Sequence, residues 1–186
     1  MVLTQTPALS LEAFLQQPET KPPQEYIEGQ IYPKPMPKGQ HSRIQTRLTT
    51  AINAESEPEK IAMAFTELRC TFGGRSLIPD ISVFNWPNIP LNPNGQIADL
   101  FLLPPTWTIE ILSPEQPPIR VMNNILFCLD HGSELGWLID PQEQAVATFQ
   151  PGKQPEIYQG DRILPTLANL PQLHFSPTTI FDYLNL

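Results

Sequence analysis

The chain has 186 residues, 40% of them hydrophobic, and a formal net charge of −8 at pH 7; this size and composition favour one folded domain over residues 1–186, with a helical extension over 1–19. No apolar run approaches the ~20 residues that span a bilayer and no signal-peptide pattern opens the chain, so we expect a cytoplasmic protein. The acidic balance argues against a general nucleic-acid binder, and the two cysteines form neither a disulfide framework nor a zinc-ligand spacing.

The first third of the chain predicts a short helix, a hairpin and a long helix. Residues 10–17 place apolar side chains on one helical face. Residues 26–32 read as two short strands around Gly29, and a proline-rich loop follows over 33–39. Residues 41–53 carry an isoleucine or leucine every four residues, which predicts an amphipathic helix.

The middle of the chain predicts strands separated by a long loop. Residues 61–72 and 78–84 are rich in β-branched and aromatic side chains and read as strands. A turn-rich segment over 87–105 follows, which could be a lid or a dimer contact. A strand over 107–112 then precedes a helix over 119–131 that begins after consecutive prolines.

The last third predicts a buried strand over 135–139, edge strands over 145–149 and 156–158, and a closing helix over 177–184. Strands and helices therefore alternate along the chain. We expect an α/β (α+β) domain in which a mixed central sheet is flanked by helices.

Two acidic residues lie within predicted strands. Asp80 and Glu110 are flanked by apolar residues, and a half-buried carboxylate must be neutralised, hydrogen-bonded or bound to a cation. On neighbouring strands they would make a site for Mg²⁺ or Mn²⁺, with the carbonyl oxygen of Ile111 as a third ligand. The alternative is that Asp80 caps a turn and Glu110 pairs with an arginine.

Basic residues are concentrated between Gly29 and Ala54, a segment without any acidic residue. Such a strip suits contact with nucleic-acid phosphates, although it could equally be an unevenly charged surface. Its members are Lys34, Lys38, His41, Arg43 and Arg47. Glu28 lies just before the strip and could be a further metal ligand, or simply a solvated hairpin residue.

The helix that follows Glu110 places Arg120 and Asn124 on one stripe. A cation on that stripe could reach back toward Glu110. The alternative for Arg120 is that it neutralises Glu115 or lies at the surface.

Five motifs in a fixed order carry a family resemblance. They are Tyr26-Ile-Glu-Gly29, His41 at the start of its helix, Ile78-Pro-Asp-Ile-Ser-Val83, Thr108-Ile-Glu-Ile-Leu-Ser-Pro114 and Gly136-Trp-Leu-Ile-Asp-Pro141. From about residue 10 to 184 the chain resembles the Uma-type family of "putative restriction endonucleases", bacterial members of the PD-(D/E)XK nuclease superfamily.

The resemblance implies a restriction-endonuclease-like fold, a divalent cation, a DNA substrate and often a homodimer. It implies metal-binding roles for Asp80 and Glu110 and a related place for Glu28. The chain departs from the pattern at the lysine. Many superfamily members carry a lysine two residues after the second acid, where this chain has Leu112, and Asn124 stands where the Uma-type family carries a lysine on the next helix. Asparagine carries no charge.

Three functional hypotheses follow from the sequence. The first is a metal-dependent DNA endonuclease in which Arg120 or a residue of the basic strip contacts phosphate and Asn124 orients water. The second is a nuclease-fold module that binds metal, DNA or a partner without turnover. The third is a structural domain with an ordinary acidic pair.

Overall fold

The computed structural model describes residues 9–114 and 116–185, so residues 1–8 of the predicted extension, and Glu115, lie outside the described residues. The helices within these ranges are α1 (Leu11–Leu15), α2 (Gly39–Ser56), α3 (Pro118–Asp130) and α4 (Pro177–Phe181), with 3₁₀ turns at Trp86–Asn88 and Asp182–Leu184. The strands are β1 (Gln24–Ile27), β2 (Gln30–Pro33), β3 (Ala62–Thr66), β4 (Cys70–Phe72), β5 (Arg75–Leu77), β6 (Ile81–Asn85), β7 (Trp107–Ile111), β8 (Leu135–Asp140), β9 (Ala145–Phe149) and β10 (Glu156–Gln159).

The main sheet has six strands in the order β10-β9-β8-β7-β6-β3. Strands β7 and β8 are parallel, because α3 carries the chain back to the starting edge between them. The other neighbours are antiparallel. The predicted mixed sheet with flanking helices is confirmed.

A smaller sheet, in the order β2-β1-β5-β4, was not predicted. The prediction of one strand over residues 61–72 is wrong, because this segment forms two strands that belong to different sheets. The chain leaves β3 at Glu67, whose φ of 51° is left-handed, and this conformation breaks an extended strand. Strand β3 therefore pairs with β6 in the main sheet, and β4 pairs with β5 in the smaller one.

Strands β1 and β2 form a hairpin with a two-residue turn at Glu28 and Gly29. Both residues have positive φ, 51° and 83°, as a type I′ turn requires. The side chain of Glu28 is therefore at the tip of the hairpin, whereas residues earlier in β1 face the protein interior.

Helices α2 and α3 cover opposite faces of the main sheet. On α2, Ile44, Leu48 and Ile52 are fully buried against one face, while Val121 and Ile125 of α3 pack on the other. Each such side chain contributes about 1.5–3 kcal/mol on burial. The helices predicted over 41–53 and 119–131 are thus present, whereas the closing helix is shorter than expected and ends in a 3₁₀ turn.

Candidate active site

Asp80, immediately before β6, lies opposite Glu110 of the adjacent strand β7. Ile81 of β6 pairs with Ile109 of β7, so the residue before β6 faces Glu110. The backbone amide of Ile111 donates a 2.6 Å hydrogen bond to Oδ2 of Asp80. This bond and the pairing of the strands hold two almost fully buried carboxylates side by side.

Lys34 is the cation beside these two acids. Its Nζ lies 2.7 Å from Oδ1 of Asp80 and 3.6 Å from Oε2 of Glu110, and it also donates to the carbonyl oxygen of Ile78. The side chain comes from the proline-rich loop between β2 and α2 and is only 6% exposed. Sequence reasoning placed Lys34 in a DNA-binding strip, but its side chain turns inward to the acids.

The electrostatic environment shifts the pKa values of the two carboxyl groups in opposite directions. Burial would raise the pKa of Asp80, but the charge of Lys34 and the contact with His41 outweigh it and lower the pKa to about 2. Burial raises the pKa of Glu110 well above its ordinary range, and the charge of Lys34 offsets this only in part. Burial opposes the charge on Lys34, yet the adjacent carboxylates raise its pKa above the ordinary value. The site therefore holds an ionised Asp80 and a charged Lys34.

His41 and Glu67 form, with Asp80, a second group of possible metal ligands. Nε2 of His41 is 3.2 Å from Oδ1 of Asp80, and His41, Glu67 and Asp80 each offer an atom within 4.8 Å of the others. Gln45 fixes this arrangement, since its Nε2 donates to Glu67 Oε1 (3.0 Å) and to the carbonyl oxygen of Asp80 (2.8 Å). The other ring nitrogen of His41 lies 3.4 Å from Oγ of Ser113.

Glu25 is a buried acid that sequence reasoning missed. Its Oε1 accepts a 2.9 Å hydrogen bond from the backbone amide of Ile78, and its Oε2 accepts one of 3.3 Å from Nδ2 of Asn124. Burial raises its pKa. Glu28, which was predicted instead, is exposed and forms an ion pair with Arg75. Gly29 is the sequence feature that could have distinguished the buried acid from the exposed one. A turn at Gly29 exposes Glu28 and places Glu25 within the strand.

Arg120 and Asn124 lie on the wall of a cavity of about 190 Å³ that Lys34 and Glu110 also line. Asn124 is buried. Arg120 is exposed and stacks on Tyr32, with its guanidinium carbon 4.2 Å from the ring centre. The structure therefore puts Asn124 inside the cavity and Arg120 near its solvent side. Its possible partner Glu115 lies outside the described residues.

The remaining basic residues divide between two places. Lys38 precedes the first turn of α2 and borders a pocket shared with His41 and Ser113. Arg43 donates to the backbone carbonyl oxygen of Tyr183 (2.9 Å). The guanidinium carbon of Arg47 lies 5.4 Å from the centre of the aromatic ring of Tyr183. Arg43 and Arg47 thus contact the C-terminal 3₁₀ turn and are not brought to the carboxylates.

Comparison with known proteins identifies a family and a similar solved structure. A family model named Uma2, "Putative restriction endonuclease", matches residues 11–178. A crystal structure of a protein from Anabaena variabilis, described as a "putative nuclease belonging to DUF820", superposes with a TM-score of 0.93 at 50% sequence identity, covering 94% of this chain and 98% of that one. No curated protein gives a match.

The helices of the described part of the chain include none with the length and apolar character needed to cross a membrane. The family match covers most of the chain, from α1 to the start of α4, and includes every residue of the candidate site. The chain belongs to the Uma2 family of restriction-endonuclease-like proteins.

Proposed function

We propose that this protein hydrolyses DNA phosphodiester bonds with Mg²⁺ or Mn²⁺ as its cofactor. The observation that carries the proposal is the convergence of Asp80 and Glu110 on a single cationic group, the Lys34 ammonium. The description of the family as restriction endonucleases, and of the Anabaena protein as a nuclease, supports DNA as the substrate class.

The residues present fit a divalent cation. Oxygen atoms of Asp80, Glu110 and the Ile78 carbonyl already surround one positive charge, and hard divalent cations prefer such oxygen ligands. Asp80, Glu110 and the carbonyl oxygen of Ile111 would hold the cation. When bound, it neutralises charge on the phosphate and makes a water molecule more acidic.

The protein's own residues supply the rest of the environment. The Ile111 amide fixes the orientation of Asp80, and His41 supports its other oxygen. Arg120, exposed beside the cavity, provides a positive charge that a DNA phosphate meets on approach. Water attacks phosphorus, the bond from phosphorus to one sugar oxygen breaks, and that oxygen receives the proton that the water gives up.

The test is cleavage of plasmid, single-stranded and branched DNA with Mg²⁺ or Mn²⁺. Asp80→Asn is the control, because it removes the charge and keeps the shape. We expect cleavage by the wild-type protein and a loss of at least ~10³-fold in the variant, the scale of one essential electrostatic group. Wild-type activity no higher than that of Asp80→Asn on every substrate contradicts the proposal.

A module that binds metal or DNA without turnover is the second candidate. The observation in its favour is Asn124, an uncharged residue where the resemblance implies a lysine. Binding without hydrolysis in the wild type, together with cleavage by Asn124→Lys, supports this candidate. Cleavage by the wild type rejects it.

A homodimer remains a prediction. The long loop between β6 and β7 exposes large apolar side chains, which are candidates for contact with a second copy. They are Leu91, Leu100 and Leu102, exposed by 62%, 71% and 66%. Light scattering of the purified protein tests it, and a monomer mass over the working concentration range rejects it.

A further inference from the structure

We infer that Lys34 supplies the catalytic ammonium of this site from the β2–α2 loop, and that an ammonium placed at residue 124 can replace it. The inference rests on the proposed function. It assigns the reacting cation to a loop residue that lines the same cavity as α3, and it makes residues 34 and 124 functionally interchangeable.

The contacts of Lys34 leave one N–H direction available for a substrate. An ammonium has three N–H donors. One donates to the carbonyl oxygen of Ile78, and Oδ1 of Asp80 lies 2.7 Å from the nitrogen as its ion-pair partner. Oε2 of Glu110 lies 3.6 Å away, which is longer than a hydrogen bond. A phosphate oxygen in the cavity can take the third donor at small cost.

The position of Lys34 indicates its role. Its nitrogen lies between the carboxylates of Asp80 and Glu110, so the side chain acts as an ammonium that donates hydrogen bonds. It donates a hydrogen bond to a non-bridging phosphate oxygen, whose negative charge grows as water attacks phosphorus. The proton lost by the water goes to the leaving sugar oxygen, so Lys34 is unchanged after turnover.

Asn124 lines the same cavity as Lys34. Its Nδ2 bonds to Glu25, but its buried Oδ1 has no hydrogen-bond partner among the described residues. Glu25 in turn bonds to the amide of Ile78, whose carbonyl accepts from Lys34. A lysine at residue 124 would thus enter a cavity already lined by Glu25 and Glu110, with acidic partners in place for its charge.

The experiment compares initial cleavage rates, with saturating Mn²⁺ and DNA, for four variants and the wild type. The variants are Lys34→Met, Asn124→Lys, Lys34→Met combined with Asn124→Lys, and Lys153→Met as the matched control on the surface. We expect Lys34→Met to lose ~10²-fold or more, the typical effect of one transition-state hydrogen-bond donor. The double variant should regain at least tenfold, and Lys153→Met should match the wild type.

Thermal unfolding with and without Mn²⁺ gives a readout that does not need activity. Without Lys34, two buried acids lose their neutralising charge, so added Mn²⁺ should raise the unfolding temperature of Lys34→Met more than that of the wild type. The double variant should return toward the wild-type shift. If Lys34→Met does not fold, Lys34→Arg keeps the charge but not the compact ammonium, and we expect it to lose at least tenfold in rate.

The outcomes separate the two proposals. If the wild type cleaves DNA and Lys34→Met keeps the full rate, this inference is overturned and the proposed function stands. The same holds for Lys34→Arg where that variant takes the place of Lys34→Met. A double variant that is no faster than Lys34→Met and keeps its enlarged Mn²⁺ shift overturns the interchange of residues 34 and 124. A wild type that cleaves nothing overturns the proposed function, and this inference with it.

Discussion

The Oδ2 oxygen of Asp80 accepts a hydrogen bond of 2.6 Å from the backbone amide of Ile111, the residue after Glu110. This bond fixes the spacing of the two acids through the main chain, so the spacing does not depend on flexible side chains. Because β6 and β7 are hydrogen-bonded neighbours, the pairing of the two strands keeps Asp80 next to Glu110.

Asp80→Asn should lower the free energy of unfolding at pH 7, and the difference from the wild type should shrink in acid. The pKa of Asp80 is about 2 in the folded protein, against an ordinary value of 3.8. An acid whose pKa is lower in the folded protein stabilises the fold at any pH above its pKa in the unfolded chain. This contribution is lost as the pH falls through the pKa of the folded protein. Urea unfolding at pH 7, 4 and 2.5 measures it, and a difference that does not change with pH contradicts it.

Glu110→Gln should stabilise the metal-free protein at neutral pH. Burial raises the pKa of Glu110, so the folded state favours the protonated acid. The protein therefore loses stability as the pH rises above the pKa that Glu110 has in the unfolded chain. The amide removes this penalty. The same variant should lose most of the stabilisation by Mn²⁺, because a ligand is missing. Urea unfolding at pH 7 with and without Mn²⁺ checks both effects, and a destabilised metal-free variant argues against this account.

Gly136→Ala should destabilise the protein by about 1–3 kcal/mol through overpacking. A Cβ at Gly136 would lie 2.3 Å from Cγ2 of Ile125, so α3 must move away from β8. The matched control is Gly39→Ala, where no atom lies within 4 Å of the new Cβ and alanine suits the helix. Comparable urea midpoints for the two variants would refute the prediction.

Arg120→Ala should weaken DNA binding more than it slows the chemical step. The guanidinium is exposed beside the cavity and packs on Tyr32, so it meets phosphate during approach. We expect a higher KM, a smaller salt dependence of binding and a nearly unchanged kcat. Arg43→Ala and Arg47→Ala are the comparison, because those residues contact Tyr183 instead. A larger effect on KM in either of them would show that DNA follows the other face of α2.

The pairing of Asp80 with Glu110 is the part of the site that sequence reasoning reached. Both acids stand out because apolar residues flank them, and strands that are close in sequence order often pair. The two long helices are predictable for a similar reason, since Ile44, Leu48 and Ile52 repeat at helical spacing. These features depend on local pattern, which a single sequence contains.

The inward position of Lys34 could not be predicted in this way. Its loop has prolines on both sides and no periodicity, so nothing local indicates which way the side chain faces. The ammonium is buried because two acids from distant strands accept its charge, which is a tertiary effect. The smaller sheet was not predicted because the chain leaves β3 at Glu67, which has a left-handed backbone. A glutamate, unlike a glycine, does not indicate such a conformation in the sequence.

The most direct test of the central claim is the position of Mn²⁺ in a crystal grown with the ion and located by its anomalous scattering. The account predicts one site with oxygen atoms of both Asp80 and Glu110 within coordination distance, roughly 2 Å, absent from crystals of Glu110→Gln. Well-ordered crystals without an anomalous peak that contacts both carboxylates would contradict it.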